Sequence, residues 1–334
     1  MLAGIILGSL MLYALLGGAD FGGGVWDLLA RGPRADAQRR LIAGAIGPVW
    51  ETNHIWLIVA IVILFTGFPT AFAAISTALF VPMTLLLAGI VLRGAAFAFH
   101  AYHLHEEHGA GWWGTIFAGA SLVTPVLLGV MIGALSSGRI PADPLTFTGD
   151  TASWLAPFPL SVGLLTLSAF SYLAAVYLIM ETDDPDLRID FRIRAFWAAA
   201  AVALLSVFVP VIAASGAPDF HKALTESDWF LTIVMLYATA ALGACVSLVL
   251  YAYSIARFCA AAQVVLILLG WGLAQFPFLA RPAITFSSSA SSPSTLHLLL
   301  LLLAAGAVLL FPAIFLLMRI FKREALSGRY RKTP

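Results

Sequence analysis

Charged residues are scarce in this chain: Asp, Glu, Lys and Arg make up 10% of its 334 residues, whereas hydrophobic residues make up 61%. Soluble globular domains carry roughly 25% charged residues, so this composition excludes that class and indicates an integral membrane protein. The net charge of +1 and the lack of a basic face also exclude nucleic-acid binding. No segment is both long and polar enough for a soluble domain, and we predict a single membrane domain over residues 1–334.

Motifs that carry chemistry are also missing. The chain contains no Ser/His/Asp set, no phosphate-binding loop and no CxxC pair, so the sequence alone shows no complete catalytic site. Its two cysteines, Cys245 and Cys259, lie in apolar segments and are interpreted as small core residues. No basic segment precedes the first apolar run, which continues to about Leu29 and is too long for the core of a signal peptide. That run is therefore predicted to be the first membrane span.

Nine stretches of about 20 or more mostly apolar residues are long enough to cross a bilayer as helices. They are predicted near 2–29, 42–67, 71–101, 112–135, 155–180, 193–214, 229–253, 258–278 and 295–320. The shortest interruption is Ala256–Cys259, where Arg257 alone marks a turn, so eight spans remain an alternative.

Basic residues are distributed unevenly between the two sides of this arrangement. With nine spans, 14 Lys and Arg residues fall on one side and three on the other. Short cytoplasmic loops carry the excess of basic residues in membrane proteins, so the N-terminus is predicted outside and the C-terminus in the cytoplasm. An odd number of spans is then required, which favours nine over eight.

Three ionisable residues fall inside the first three predicted spans: Asp20, Glu51 and Arg93. Each lies about 12–15 Å from the inner end of its helix, and consecutive helices tend to be neighbours, so we expect one polar cluster. Ionisable residues in spans are costly and mark routes for ions or protons by default; a proton path from the cytoplasm is the favoured hypothesis. The alternative is a buried ion pair that only holds helices together.

Other polar residues near this cluster allow more than one interpretation. Asp27 follows Asp20 by seven residues on the same helix face and could be an entry group for protons or an ordinary interfacial acid. His54 follows Glu51 by about one turn and could ligate a haem, although a lone buried histidine is more often a hydrogen-bonded core residue. Four histidines at 100–108 could bind a metal, but they are more typical of a solvated, pH-responsive inner loop.

Several segments resemble subunit II of the cytochrome bd family of quinol oxidases. They are GGADFGGGVWDLL at 17–29, IGPVWETNHIWLI at 46–58, LFTGFPTAF at 64–72 and LRGAAFAFH at 92–100. GWGLAQFP at 270–277 and MRIFK at 318–322 extend the resemblance nearly end to end. The tryptophan, acid and asparagine of the WETN motif, which ends at Asn53, are specific within that family.

The resemblance implies two four-helix bundles plus a peripheral helix, with residues 1–135 forming the first bundle and 155–320 the rest. It also implies a homologous partner, subunit I, which in most members holds two b-type haems, one d-type haem and the quinol site, while this chain holds no cofactor. The complex would oxidise quinol and reduce dioxygen to water in the cytoplasmic membrane of a bacterium or archaeon. A structural quinone or lipid in this chain, and a small accessory subunit, are left open.

Two acids carry over from the resemblance by position. Glu51 matches the acid that lines the proton pathway of relatives, and Asp20 matches the acid of the first helix. Many members have aspartate in place of Glu51, which changes the reach by one methylene and keeps the chemistry. This chain would then be a subunit that is inactive alone, scaffolds subunit I and contributes a cytoplasmic proton pathway. The residues expected in the pathway and its polar surroundings are Glu51, Asp20, Asp27, Arg93, Asn53 and His54.

The alternative from another functional class is a proton-coupled secondary transporter, which would also need buried acids and glycine-interrupted helices. Transporters usually contain an internal repeat with such helices in both halves, whereas here the charged and glycine-rich positions lie in the first three predicted spans. That asymmetry favours the oxidase subunit. A third hypothesis, a haem bound by this chain through His54, predicts a Soret band in the isolated polypeptide.

Overall fold

The computed structural model describes residues 1–46, 50–103, 112–146 and 148–326, with their side chains except those of residues 50–52, 100–103, 152, 314–315 and 317–326. This part of the chain is nearly all helical, so the predicted all-α membrane class is confirmed. The helices are α1 (Leu2–Leu28), α2 (Ala35–Ile46), α3 (Trp50–Gly67), α4 (Pro69–Ala78), α5 (Phe80–His103), α6 (Trp112–Ser136), α7 (Ala152–Leu155), α8 (Pro157–Met180), α9 (Pro185–Gly216), α10 (Pro218–Thr225), α11 (Phe230–Val249), α12 (Tyr253–Gln275) and α13 (Pro293–Leu326). A 3-10 turn at Pro144–Thr146 and a hairpin of β1 (Phe278–Ala280) and β2 (Ile284–Thr285) complete the described elements.

Eight of the described helices are long and apolar enough to cross a membrane: α1, α5, α6, α8, α9, α11, α12 and α13. Helices α3 and α4 pass the same test together, but their axes are bent by 117° at the break between them. The predicted number of nine is therefore reached only if this bent pair is one span.

The predicted span at 71–101 is wrong at its start, because the chain breaks between α4 and α5 and again between α3 and α4. Pro69 is the first residue of α4 and cannot donate a backbone hydrogen bond. It also disfavours helical angles at Phe68, which takes φ −138° and ψ 59°. Pro82 lies in the first turn of α5, where proline is tolerated because that amide has no intrahelical acceptor.

The predicted span at 42–67 is described in two helical stretches, α2 up to Ile46 and α3 from Trp50, and residues 47–49 lie outside the described part of the chain. Arg34, just before α2, donates to both carboxylate oxygens of Asp190 on α9 at 2.9 and 2.6 Å. The hydrogen bonds to Asp190 raise the pKa of Arg34. Gln38 on the buried face of α2 donates to the same carboxylate at 2.7 Å. These bonds hold α2 against the beginning of α9.

The turn between α11 and α12 lies at residues 250–252 rather than at the predicted Ala256–Cys259. Tyr251 takes a positive φ of 61°, which is uncommon for a bulky residue and reverses the chain without glycine or proline. Arg257 therefore lies inside α12, where its guanidinium stacks on the ring of Tyr177 at 4.8 Å.

Helices α1 and α8 occupy the centre of the described structure. Helix α1 packs against α3, α6, α8 and α12, and α8 packs also against α6, α9 and α12. Gly22 permits the closest approach, because a Cβ atom there would lie 2.1 Å from the carbonyl oxygen of Phe170 on α8. Helix α13 packs mainly against α3 and is otherwise largely exposed. The division into two bundles and the orientation of the termini stay predictions.

The hairpin β1–β2 and the segment after it close one end of the molecule. The buried Arg281 donates its backbone N–H to the carbonyl oxygen of Leu135 at 3.0 Å, and burial lowers the pKa of its side chain. Ser291 donates its N–H to the carbonyl oxygen of Gly67 and its hydroxyl to that of Thr66, both at 2.8 Å. The hairpin segment thereby satisfies two backbone acceptors at the break between α3 and α4.

Candidate functional site

Helix α1 places one acid at the centre of the protein. Asp20 is 7% exposed and lies in a glycine-rich stretch that lets α6 and α8 approach closely. A Cβ atom at Gly24 would lie 2.1 Å from the hydroxyl oxygen of Ser121 on α6. Small residues at helix contacts are typical of close packing in membranes. The carboxyl group is therefore enclosed by protein rather than by lipid.

Asn53 on α3 is the direct partner of this acid. Its side-chain Nδ2 donates a short hydrogen bond to Oδ2 of Asp20, and Asn53 itself is buried. A buried polar group without a partner costs free energy, so each side chain lowers the cost of burying the other. The bond fixes Asp20 at the contact between α1 and α3.

Arg93 on α5 is the largest of the fully buried side chains described, with 1% of its surface exposed. Its guanidinium lies over the ring of Phe21 at 5.1 Å and over that of Phe117 at 5.4 Å, where the faces of the rings attract a cation. None of its three nitrogen atoms has a hydrogen-bond partner in the described part of the chain. Its charge and that of Asp20 interact through space. Asp20 is therefore not in direct contact with Arg93; the side chain of Glu51 lies outside the described residues, so the ion pair of Arg93 with an acid stays a prediction.

His54 faces α1 rather than an open site. Its Nδ1 lies 3.4 Å from the hydroxyl oxygen of Tyr13, a long hydrogen bond. The rings of Tyr13 and Phe21 lie 5.8 and 6.1 Å from the imidazole, measured between centroids. A hydrogen-bonded histidine with aromatic neighbours on two sides suits a core position better than a haem ligand.

The remaining predicted residues are placed less completely. Glu51 belongs to α3, two residues before Asn53, but its side chain lies outside the described part of the chain. The side chains of the four histidines at 100–108 lie outside it as well. Asp27 is 5% exposed and lies about 10 Å from Asp20 along the axis of α1. The two interpretations of Asp27, an entry group or an interfacial acid, both stay predictions.

Two buried hydroxyl groups on α6 belong to the same region although the sequence analysis did not identify them. Ser121 and Thr124 are 0% exposed, and neither hydroxyl has a hydrogen-bond partner among the described residues. By contrast, the hydroxyl of Thr166 on α8 donates to the carbonyl oxygen of Val162, one turn earlier, at 2.9 Å. Ser121 and Thr124 instead face Gly24 and Gly89 on the neighbouring helices. A Ser/Thr pair at i and i+3 opposite glycines is the sequence signal for such a contact.

A cavity of about 270 Å³ lies between α1, α6, α8, α9, α11 and α12. Its lining is almost wholly apolar, and Tyr13 forms part of the wall. Ser206 and Tyr237 contribute further polar groups to the lining, and their hydroxyl oxygens are 3.1 Å apart. The described residues contain no group of three or more His, Cys, Asp or Glu side chains that could hold a metal ion. Because its lining is almost wholly apolar, the cavity suits an apolar molecule with few polar groups.

The cluster around Asp20 has the features of a proton relay. Its carboxyl group is held by one amide donor and lies within the electrostatic reach of a permanent cation. A carboxyl group fixed in this way can take up and release a proton without leaving its position. Proton transfer through this cluster at membrane depth stays a prediction.

Comparisons with known proteins identify the family of this chain. The family described as cytochrome bd terminal oxidase subunit II matches residues 1–321. The chain is 31% identical to cytochrome bd-I ubiquinol oxidase subunit 2 of Escherichia coli K12 over 211 residues, which are 61% of this chain and 54% of that protein. It is 30% identical to cytochrome bd ubiquinol oxidase subunit 2 of Bacillus subtilis 168 over 131 residues, which are 39% of this chain and 38% of that protein. The chain thus aligns with about half or less of the length of these two relatives.

A solved structure shares the fold over almost the whole chain. The protein superposes on a chain of the bd oxidase from Geobacillus thermodenitrificans with a TM-score of 0.78. The superposition covers 95% of this chain and 96% of the other at 21% sequence identity. With a family match that extends over nearly all of its residues, this chain belongs to the family of cytochrome bd terminal oxidase subunit II.

Proposed function

We propose that this chain is subunit II of a bd-type terminal oxidase in the cytoplasmic membrane, where the complex oxidises quinol and reduces dioxygen to water. A homologous subunit I carries the haems, which supply the electron and oxygen chemistry, and it also carries the quinol site. This chain scaffolds subunit I and is inactive alone. The family match supports this assignment, as do the names of its relatives, which are subunits of ubiquinol oxidases.

The second part of the proposal is that this chain conducts protons from the cytoplasm. Asp27 receives them near the end of α1, and Asp20 receives them next, one carboxyl group deeper on the same helix face. Glu51, near the beginning of α3, is also assigned to the route, because the resemblance matches it to the acid that lines the proton pathway of relatives. The observation that carries this route is the buried hydrogen bond between Asn53 and Asp20. Arg93 favours the ionised carboxylate electrostatically and so limits the cost of charge at that depth.

Replacement of the two acids tests the route in the assembled complex. Asp20→Asn and Glu51→Gln remove a titratable group but keep its size and polarity, so we expect oxidase turnover to fall by on the order of tenfold or more. The dependence of turnover on cytoplasmic-side pH should change as well. Asp219→Asn is the control, because Asp219 is an exposed acid on α10. Unchanged turnover and pH dependence in a fully haem-loaded complex would contradict the route.

Purification in mild detergent followed by an absorption spectrum tests the assignment itself. We expect a second membrane subunit with b and d haems to copurify, and any third, smaller polypeptide would be an accessory subunit. A colourless monomer that moves solutes across vesicle membranes would favour the secondary transporter instead. A Soret band in the isolated polypeptide would assign a haem to this chain and to His54.

The apolar cavity is the proposed place for a structural quinone or lipid. Its lining and its few hydroxyl groups match a molecule with a long apolar part and a small polar part. Solvent extraction of the purified complex should yield such a molecule in excess of what the quinol site of subunit I holds. Substitution of the buried Ala169 in the cavity wall by Phe should reduce that excess.

A further inference from the structure

A second concave site lies where four helices end, at the turns between α8 and α9 and between α11 and α12. It is a groove of about 420 Å³, within the roughly 300–1,000 Å³ typical of ligand pockets. The last residues of α8, Arg188 on α9 and residues 251–255 line it. It shares no lining residue with the apolar cavity, and the proposed proton route does not use it.

Arginines and tyrosines dominate the polar side of this groove. Arg188 lines it directly, and Arg192, one turn further along α9, lies over the ring of Tyr251 at 4.4 Å. Arg257 stacks in the same way on Tyr177, close to the end of α8. Stacking on a tyrosine ring holds a guanidinium in place. The five N–H groups of Arg192 outnumber the two neighbouring hydroxyl groups, of Tyr251 and Tyr253, with which it also interacts.

One acidic residue, Asp183, pairs with the arginine that lines this side of the groove. Arg188 donates to the carboxylate of Asp183 at 3.0 Å and to the carbonyl oxygen of Thr182 at 2.7 Å. The side chain of Asp183 is fully exposed to solvent, so its effect is screened. No acidic residue is found among the described residues that line the groove. The lining thus offers hydrogen-bond donors and positive charge together.

The other side of the groove is apolar and faces the membrane region. Met180 and Ile255 line it and are 38% and 57% exposed, and Phe258, one turn along α12, is 76% exposed. Tyrosines at helix ends are typical of the level at which lipid headgroups lie. A molecule that fills this groove must therefore present an anion at one end and hydrocarbon at the other.

We propose that this groove binds an anionic phospholipid of the surrounding membrane. The phosphate group lies between Arg188 and Arg192 and accepts hydrogen bonds from the guanidinium groups and from the hydroxyl of Tyr251. The acyl chains lie along Met180 and Ile255. Basic pockets between membrane helices recognise lipid phosphates in this way. The proposal is independent of the oxidase reaction and of the proton route.

Native mass spectrometry of the purified complex tests this site. Delipidated complex is titrated with phosphatidylglycerol and, separately, with the zwitterionic phosphatidylcholine, and the bound fractions are compared. We expect preferential binding of phosphatidylglycerol, weakened about fivefold in Arg192→Gln. Arg192→Lys keeps the charge and should retain most of the affinity. Arg40→Gln is the control, because Arg40 is an exposed arginine on α2 outside the groove.

Three results would overturn the proposal. One is equal binding of both lipids by the unaltered complex. Another is unchanged phosphatidylglycerol affinity in correctly folded Arg192→Gln, or an equal loss in Arg40→Gln. The third is displacement of bound phosphatidylglycerol by an equal concentration of inorganic phosphate, since a free anion and not a lipid would then be the ligand. Thermal unfolding of each variant, measured in parallel, shows which ones are folded.

Discussion

Among single residues, Arg93 shows how this protein keeps a permanent charge at membrane depth. An arginine at the centre of a helix in the bilayer costs about 2.5–3.5 kcal/mol on insertion scales. In this structure the guanidinium lies over two phenyl rings, and Asp20 interacts with it through space. Among the described residues no carboxylate is in direct contact with Arg93, and Asp20 is held by Asn53.

We predict that the amide of Asn53 positions Asp20. Its effect on turnover can be measured separately from its effect on stability. Asn53→Leu removes the donor to Asp20, and we expect oxidase turnover to fall about tenfold, equivalent to about 1.4 kcal/mol. Gln263→Leu is the matched control, because Gln263 is an equally buried amide that donates to the hydroxyl of Tyr172 at 3.3 Å. Both variants should lose stability, by about 1–3 kcal/mol for an unsatisfied buried group.

Only Asn53→Leu should change the pH dependence of turnover. The same turnover and pH profile in the two variants, each corrected for haem content, would show that Asn53 has only a structural role.

The sequence predicts the charged members of the site but not their neighbours. Asp20 and Arg93 stand out because an ionisable residue in an apolar run is rare. Tyr13 and Phe117 do not stand out, since aromatic residues occur throughout the spans and only packing shows which of them touch the cluster. The lack of direct contact between Asp20 and Arg93 is equally invisible in the sequence, because it depends on side-chain directions that helical spacing does not determine.

Among the helices, glycine and proline control where the chain packs and where it breaks. Gly22 brings the backbones of α1 and α8 into contact, and Pro69 separates α4 from α3. The proline signal is present in the sequence, but hydropathy alone hides it because apolar residues continue on both sides. The turn at Tyr251 has no such signal, since the residue there is neither glycine nor proline.

The contact at Gly22 gives a prediction about assembly. In Gly22→Ala the added Cβ would meet the carbonyl oxygen of Phe170 at 2.1 Å, and backbone cannot move aside as a side chain can. We expect a loss of about 1–3 kcal/mol, the usual cost of overpacking, and less assembled complex. Gly4→Ala is the control on the same helix, because nothing lies within 4 Å of its added Cβ. Equal thermal midpoints for the two variants would contradict this account of α1–α8 packing.

For the whole molecule, the sequence predicts the structural class better than the limits of the individual spans. Long apolar runs identify the helices because a bilayer requires them. Their ends differ from the prediction where charge or a kink intervenes: α9 begins at Pro185, eight residues before the predicted 193, with Asp184 accepting hydrogen bonds from its first turn. The distribution of basic residues also predicts an orientation, which can be measured directly.

Single cysteines test that orientation in intact cells. Cys245 and Cys259 are first replaced by Ala, and Ala290→Cys or Glu181→Cys is then introduced at an exposed position. A membrane-impermeant maleimide should label Ala290→Cys from outside and Glu181→Cys only after the membrane is opened. The reverse pattern would invert the predicted topology and move the entry of protons to the other side of the membrane.

The hydrogen bonds from Ser291 to Gly67 and Thr66 have a consequence for biosynthesis. Ser291 lies 225 positions after Thr66, which accepts the hydrogen bond from its hydroxyl group. Helix α3 therefore enters the membrane long before Ser291 leaves the ribosome. Until then, only water or lipid headgroups can satisfy the carbonyl oxygens at the end of α3. This corner of the protein therefore closes only after α12 has been synthesised, which leaves the break between α3 and α4 open to the cell's insertion machinery for most of translation.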